Sequence, residues 1–268
     1  MPDSVRPPTW SLITVTYNSE KELLRFWSTT PLPKNVEWVV VDNNSSDSSA
    51  ALAGRLGAKV IPLPQNRGFG AANNIGFARS TGQYIAFVNP DVAVEYSTLD
   101  KLASAATQTG GLVTPQLMYP DGTSQPNGRG YPFLADKILN RLRAKRATEY
   151  LQFASPEQHL AVVWAIGAVV AAERGIFKNL GPWDERFFLY YEDSDLGLRA
   201  AAKSIPTIVC GDITWVHGWA RETTTLSISA WKRELPSLIK FYSRYPRLLS
   251  PTPRRTSRRL YTTGWPTR

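Results

Sequence analysis

The chain has 268 residues, 43% hydrophobic and 11% aromatic, enough for one large α/β domain or two small ones with a sizeable core, and unlike a disordered composition. A single cysteine, Cys210, excludes an internal disulfide framework and a Cys-rich metal site, and fits a reducing cytoplasm. The net charge of +9 is gathered at one end, because residues 232–268 hold ten Lys or Arg against one acid, Glu234, and the remainder balances.

Met1 to Pro8 is polar and Pro-rich, with no apolar signal-peptide core. No apolar run approaches the ~20 residues of a spanning helix. Ser11 to Tyr17 is short and β-branched and predicts a buried strand, after which Asn18-Ser19 predicts a turn and cap for a helix over 20–27. Val36 to Asp42 predicts a second strand, Asp47 to Leu56 a helix, and Lys59 to Leu63 a third strand. Asn66 to Gly70 predicts a loop opening a helix through Ala78. A fourth strand over 83–88 ends at Asn89-Pro90-Asp91, and a helix follows over about 98–107. This alternation predicts a mostly parallel central sheet flanked by helices, with ligands beyond the carboxyl ends of the strands. Thr16, Tyr17, Asn18, Asp42, Asn66 and Asp91 all fall at that edge.

In the second half, Val113 to Tyr119 predicts a strand and the Gly- and Pro-bearing stretch 121–132 a loop or hairpin. Lys137 to Arg146, with Arg141, Arg143 and Lys145, reads as a mobile helix near the acceptor or, more plainly, as a solvated basic face. The apolar run Val162 to Ala172 predicts one strand crossing the sheet. Glu192 to Lys203 predicts a helix, Pro206 to His217 an extended segment, and Leu226 to Tyr245 a closing helix. One domain is expected over 1–250, with a basic tail over 251–268. Arg254, Arg255, Arg258 and Arg259 in that tail suit anionic lipid headgroups, at about 1 kcal/mol per basic residue near the surface. A solubilising end is the plainer reading of the same charges, and nucleic acid is not expected.

Three acids, Glu192, Asp193 and Asp195, follow the apolar run Phe187-Phe188-Leu189-Tyr190-Tyr191. A desolvated wall beside clustered carboxylates raises at least one carboxyl pKa, which suits a general base; acids at a helix start also need no function. Asp42, with Tyr17 and Asn18 nearby, suits a base-and-ribose pocket, or only turn and capping chemistry. Asp91 follows the rigid Pro90 and suits a hard cation carrying a diphosphate, with His217 as a further ligand or diphosphate contact, although a lone His is more often structural. Gly68-Phe69-Gly70-Ala71-Ala72-Asn73 matches a dinucleotide fingerprint poorly, since it follows the third strand and ends on Asn73, and this disfavours a nicotinamide-dependent oxidoreductase.

Taken together, these pieces resemble the family 2 glycosyltransferases of GT-A fold, nearest to the rhamnosyltransferase-like branch acting on bacterial cell-wall and surface glycans. The matching residues are Val15-Thr16-Tyr17-Asn18, Val40 to Asp47, Asn66-Arg67-Gly68-Phe69-Gly70 with Asn73-Asn74 and Gly76, Asn89-Pro90-Asp91, Trp164 to Ala168, Phe187 to Leu196, and His217. The resemblance implies that Thr16, Tyr17, Asn18 and Asp42 line a nucleotide pocket, with Asn66, Gly68, Asn73 and Asn89 helping to hold a nucleotide-sugar donor. It places residues of about 10–110 on the donor side and about 111–250 on the acceptor side. It implies that Asp91 matches the last acid of an Asp-x-Asp metal motif, with Asn89 in place of the first acid, and that His217 approaches a Mg2+ or Mn2+ ion or the diphosphate. Asp193 matches the base of an inverting transfer, Glu192 and Asp195 position it or contact the acceptor, and Trp164 and Gly167 lie beside sugar and acceptor. The implied donor is a nucleotide sugar such as dTDP-rhamnose, the acceptor a glycan or polyprenyl-linked glycan, and the location cytoplasmic, with peripheral contact at the inner face of the plasma membrane through the tail. A nucleotidyltransferase and a non-catalytic sugar-binding protein of the same fold are the rival readings.

Overall fold

A computed structural model describes residues 9–29, 31–141, 150–218 and 228–249. Met1 to Pro8, the basic residues Arg143, Lys145 and Arg146, and the tail 251–268 lie outside the described residues. The strands are β1 (Trp10–Thr16), β2 (Val36–Asp42), β3 (Lys59–Pro62), β4 (Tyr84–Val88), β5 (Val92–Ala93), β6 (Leu112–Met118), β7 (Gly128–Arg129), β8 (Leu151–Gln152), β9 (His159–Val162), β10 (Trp164–Ala165), β11 (Val169–Glu173) and β12 (Thr207–His217). The helices are α1 (Glu20–Phe26), α2 (Ser49–Arg55), α3 (Phe69–Arg79), α4 (Leu99–Thr109), α5 (Leu134–Arg141), α6 (Arg174–Leu180), α7 (Glu192–Ala202) and α8 (Ile228–Arg244).

The main sheet runs β3-β2-β1-β4-β11-β6-β12-β5, with β9 also on β12, and a small second sheet runs β10-β7-β8. Strands β3, β2, β1 and β4 are parallel, while β11 lies antiparallel between β4 and β6. The expected mostly parallel sheet is therefore present, with one reversed strand inside it. β6 and β12 pair parallel and resume the common direction.

Alternate residues of β1 feed opposite layers, as a strand buried on both faces requires. Trp10 and Leu12 join α1, α2 and α4 on one face, through Leu23, Leu52, Leu102 and Ala106. Ile13 joins α3, α6 and α7 on the other, through Phe77, Phe177 and Leu196. A third cluster holds Trp164, Phe187, Tyr191, Leu198, Phe241 and Tyr242, and it fastens α8 to α7 and β10.

Two expectations need correction. The run Val162 to Ala172 is not one strand: β9 ends at Val162, β10 spans Trp164–Ala165, and β11 begins at Val169. The break lets Gly197 of α7 pass so close that a Cβ there would fall 2.3 Å from the Trp164 Cβ. It also leaves residues 166–168 as a turn at the carboxyl edge of β4, since Val169 pairs with Val88. The second correction concerns Lys137. It is no solvated residue, because its ammonium lies among the rings of Tyr191, Trp164 and Phe241.

Candidate active site

The strand ends on the β1–β3 side carry a dense polar loop cluster. Thr16 Oγ1 donates to Asp42 Oδ1 at 2.9 Å, and the Ser45 amide donates to Asp42 Oδ2 at 3.0 Å. Both residues are buried, so they shape the loops and present little surface. Tyr17 is 54% exposed and Asn18 takes a left-handed φ of 53° beside it. The Asn18 side-chain oxygen accepts from the Ser46 amide at 2.8 Å, fastening the β1 loop to the β2 loop.

Asn43 is the hub of this side. Its Nδ2 donates to Asn66 Oδ1 at 2.9 Å and to the Gly68 carbonyl at 3.3 Å, while its Oδ1 accepts the Arg67 amide at 2.8 Å. Asn66 Oδ1 also accepts the Gly68 amide at 2.9 Å. Gly68 has φ +84°, and a Cβ there would lie 2.5 Å from the Phe188 carbonyl oxygen. Only glycine suits that position. The next amide, Phe69, donates to the same carbonyl at 2.9 Å, so the 66–70 loop is bolted to the aromatic run 120 residues later in sequence, as 188 against 68 shows. Asn73 lies deeper, buried within α3, donating to the Phe69 carbonyl at 3.1 Å.

At the end of β4, Trp27 Nε1 donates to the Pro90 carbonyl at 3.0 Å, and β5 pairs Val92 with His217 at the end of β12. Asp91 and His217 thereby meet, with Nε2 to Oδ2 at 3.3 Å. His217 Nδ1 lies 2.8 Å from Gln125 Oε1, so the amide oxygen receives the Nδ1 proton and Nε2 is the atom turned to Asp91. Among the described residues no group of three His, Cys, Asp or Glu side chains gathers as a metal site. The pair nevertheless suits a divalent cation, since one carboxylate oxygen, one imidazole nitrogen and a fixed tautomer are a usual partial donor set for ions that keep waters or substrate oxygens.

The turn 166–168 joins this corner to α7. The Asn89 amide donates to the Ala168 carbonyl at 2.9 Å, and the Gly167 amide donates to Asp193 Oδ2 at 3.3 Å. A Cβ on Gly167 would lie 3.6 Å from that of Asp193, so the two residues are in contact. Trp164 is buried behind them, its Nε1 donating to the Gly130 carbonyl at 2.9 Å.

The helix carrying the acids starts under strain. Tyr190 and Tyr191 hold left-handed φ of 69° and 73°, each costing about 1–3 kcal/mol in a non-glycine residue. Packing retains them: Ser237 Oγ of α8 donates to the Leu189 carbonyl at 2.8 Å, and the Tyr191 ring packs on Phe241. The three acids then part company. Asp195 is wholly buried between Arg199, at 2.7 Å, and the Tyr245 hydroxyl, at 2.8 Å. It anchors the helix and faces no open space. Glu192 is buried with Oε2 lacking a hydrogen-bond partner, and burial, reinforced by the Asp193 charge, pushes its carboxyl up to about 8. Asp193 alone is partly exposed, its Oδ1 accepting the Ser194 amide at 2.7 Å.

Comparison with known proteins fits this geometry. Residues 11–164, more than half of the chain, match the family model "Glycosyl transferase family 2". The chain belongs to that family. A relative of this glycosyltransferase is the N-acetylglucosaminyl-diphospho-decaprenol L-rhamnosyltransferase of Mycobacterium tuberculosis, 28% identical over 211 residues, covering 70% of this chain and 69% of the relative. Among solved structures, GalNAc-T7 with UDP, GalNAc and Mn2+ superposes with a TM-score of 0.60 at 16% identity, over 89% of this chain and 51% of that chain. This glycosyltransferase thus spans about half the length of that neighbour. The mannosyltransferase PcManGT from Pyrobaculum calidifontis, in complex with GDP-Man and Mn2+, gives a TM-score of 0.58 at 18% identity over 96% of this chain and 69% of that one. The fold is GT-A.

Sequence reasoning about this glycosyltransferase passed over three residues. Asn43 stood within a quoted motif without a role. Gln125 sat in a segment read as a loop or hairpin without a role. Lys137 was masked by its basic neighbours, although its spacing of three from Leu134, which packs in the third cluster, marks it as facing inward.

Proposed function

We propose that this glycosyltransferase acts with inversion. Asp193 removes the proton from an acceptor hydroxyl, and the freed oxygen attacks the anomeric carbon on the face opposite the departing nucleoside diphosphate. One base suffices for a single displacement, and a double displacement would need a nucleophile as well. The observation that carries the reading is the short bridge through Ala168 and Gly167 from the Asn89–Asp91 segment to Asp193. This tie between the segment bearing Asp91 and the carboxylate of Asp193 supports a leaving-group corner and an alcohol-activating base that act together. Asp91 and His217 would hold a divalent cation, which when bound neutralises charge growing on the diphosphate.

Tyr17, Asn18 and the Asn43–Asn66–Gly68 loop would receive the nucleotide sugar, the exposed ring of Tyr17 offering a stacking face. The donor we assign is dTDP-rhamnose and the acceptor a polyprenyl-linked glycan; the named activity of the mycobacterial relative supports the rhamnosyl group and the polyprenyl-linked acceptor, and the dTDP carrier rests on the family resemblance. Among the described residues no helix is long and apolar enough to cross a membrane. The charge of residues 251–268 supports a peripheral contact with anionic lipid.

The test is a panel of nucleotide sugars with Mg2+ or Mn2+, read as thermal stabilisation, followed by an assay for released nucleoside diphosphate. Asp193→Asn should lower turnover about 10^3-fold while donor affinity survives, as loss of a general base requires. Undiminished turnover in that variant removes Asp193 as the base, and release of pyrophosphate in place of nucleoside diphosphate removes the reaction class.

A further inference from the structure

Lys137 occupies a setting that neither its basic neighbours nor a plain structural role explains. Its Nζ lies 3.7 Å from the centroid of the Tyr191 ring, 5.3 Å from Trp164 and 5.5 Å from Phe241. The three rings come from the start of α7, from β10 and from α8, and all belong to the third core cluster. Aromatic faces attract an ammonium, but they return less than the hydration it surrenders unless acids are near. The acids present are Asp193 and Glu192 on α7 and Glu234 on α8, with Arg129 of β7 opposing them. Nζ donates to Ser194 Oγ at 3.4 Å, and Ser194 Oγ donates to Asp193 Oδ1 at 3.4 Å. The cation therefore stands one hydroxyl away from the carboxylate assigned as the base.

Two carboxyl groups adjacent in sequence, one buried and one partly exposed, cannot both carry charge cheaply, and a single cation decides which one does. Glu192 lies deeper, with an oxygen that finds no partner, whereas Asp193 accepts the Ser194 and Gly167 amides. We propose that Lys137 is a positioning residue for Asp193, a ring-caged ammonium that settles the proton on Glu192 and the negative charge on Asp193. The inference rests on the reading of Asp193 as base and adds the group that keeps it ionised. Burial pulls the Lys137 ammonium down to about 8 against the pull of the three acids, so its support fades in mildly alkaline solution.

Two measurements test this, one of which needs no substrate. In wild-type protein the Lys137 13Cε resonance should titrate near 8. Because coupling is reciprocal, Asp193→Asn should lower that midpoint further, by about one pH unit. The second measurement is the pH dependence of kcat with the accepted donor. Lys137→Met should move the acid limb up by about one pH unit, so that kcat falls about 10-fold on that limb and little above it, while KM for the donor holds within about twofold. Lys137→Arg, charged throughout, should restore the acid limb. Ser194→Ala leaves the rings and both charges in place and should shift the same limb less, which preserves the test if Lys137→Met does not fold.

A Lys137 midpoint indifferent to Asp193→Asn, or a Lys137→Met profile scaled down equally at every pH, overturns the inference. Full activity in Asp193→Asn overturns the base assignment instead, and the substrate-free titration still reports whether the two groups are coupled.

Discussion

On the β1–β3 side of the site the polar side chains are satisfied by one another and by neighbouring backbone, whereas on the α7 side charge is left in tension. Asn43 uses both ends of its amide, Asp42 both oxygens, and Asn66 one oxygen twice. Nothing there is strained except at Asn18, Asn44 and Gly68, residue types that tolerate a left-handed backbone. The start of α7 is the reverse. Two tyrosines hold positive φ, Glu192 lacks a partner for one oxygen, and a lysine sits among rings. A saturated cradle suits binding a ligand whose shape does not change. A tense, partly dry wall suits a group that must take up a proton and release it, since strain and shifted pKa values gather where chemistry is done. The contrast supports the division of labour proposed above.

The largest effect should come from breaking the corner that both sides share. Asp91→Ala removes the carboxylate that faces His217 Nε2, and should weaken Mn2+ binding and donor binding together by at least about 100-fold, measured by calorimetry with and without the ion. Gln125→Leu should weaken the same pair of affinities about 10-fold, because it releases the imidazole orientation without touching the donor. Donor affinity at the wild-type value in Asp91→Ala would move the cation corner elsewhere.

That corner also marks how far the amino-acid pattern alone reaches. β1, β2 and β4 were legible to within one or two residues, because each is a short apolar run closed by Asn, Asp or Pro. The carboxyl-edge placement of Asp42 and Asp91 followed from the alternation of strands and helices. The partnership of Asp91 with His217 did not, since it depends on a two-residue strand, β5, pairing antiparallel with the end of β12. The break after Val162 was hidden for a different reason. Val162 to Ala172 has one glycine and no polar punctuation, and the close approach of α7 to Trp164 at the break is a tertiary contact between distant segments. Clustered acids at 192–195 were visible as a group, but their separation into anchor, buried acid and partly exposed acid is a matter of helix phase and packing.

A smaller effect should follow from loosening the cradle. Gly68→Ala sets a Cβ 2.5 Å from the Phe188 carbonyl and demands a left-handed alanine, so the loop or the aromatic run must shift. We expect a loss of about 2 kcal/mol in unfolding free energy, seen as a lower denaturant midpoint, and weaker donor binding with it. Wild-type stability would mean that the bond from the Phe69 amide to Phe188 does not hold the two segments together.

The smallest effect, and the one that isolates the tense side, lies in the pH dependence of stability. A carboxyl raised from 4.5 to about 8 is protonated in the folded protein and ionised in the unfolded chain between those values. The unfolded chain then binds fewer protons, so stability falls as pH rises through this window. The contribution of Glu192 is complete below 4.5 and lost on passing about 8. Lys137 acts in the opposite sense at higher pH, because a lysine lowered from 10.5 to about 8 sheds its proton on folding, and stability gains as pH climbs through that range. Glu192→Gln keeps the volume and removes the titration. Its urea midpoint should therefore change less between pH 5.5 and 8 than that of the wild type, with the variant relatively more stable at the upper pH. Because every other ionisable group is common to the two proteins, parallel curves would mean that Glu192 is ionised in the folded state, and the proton assigned to it would be absent.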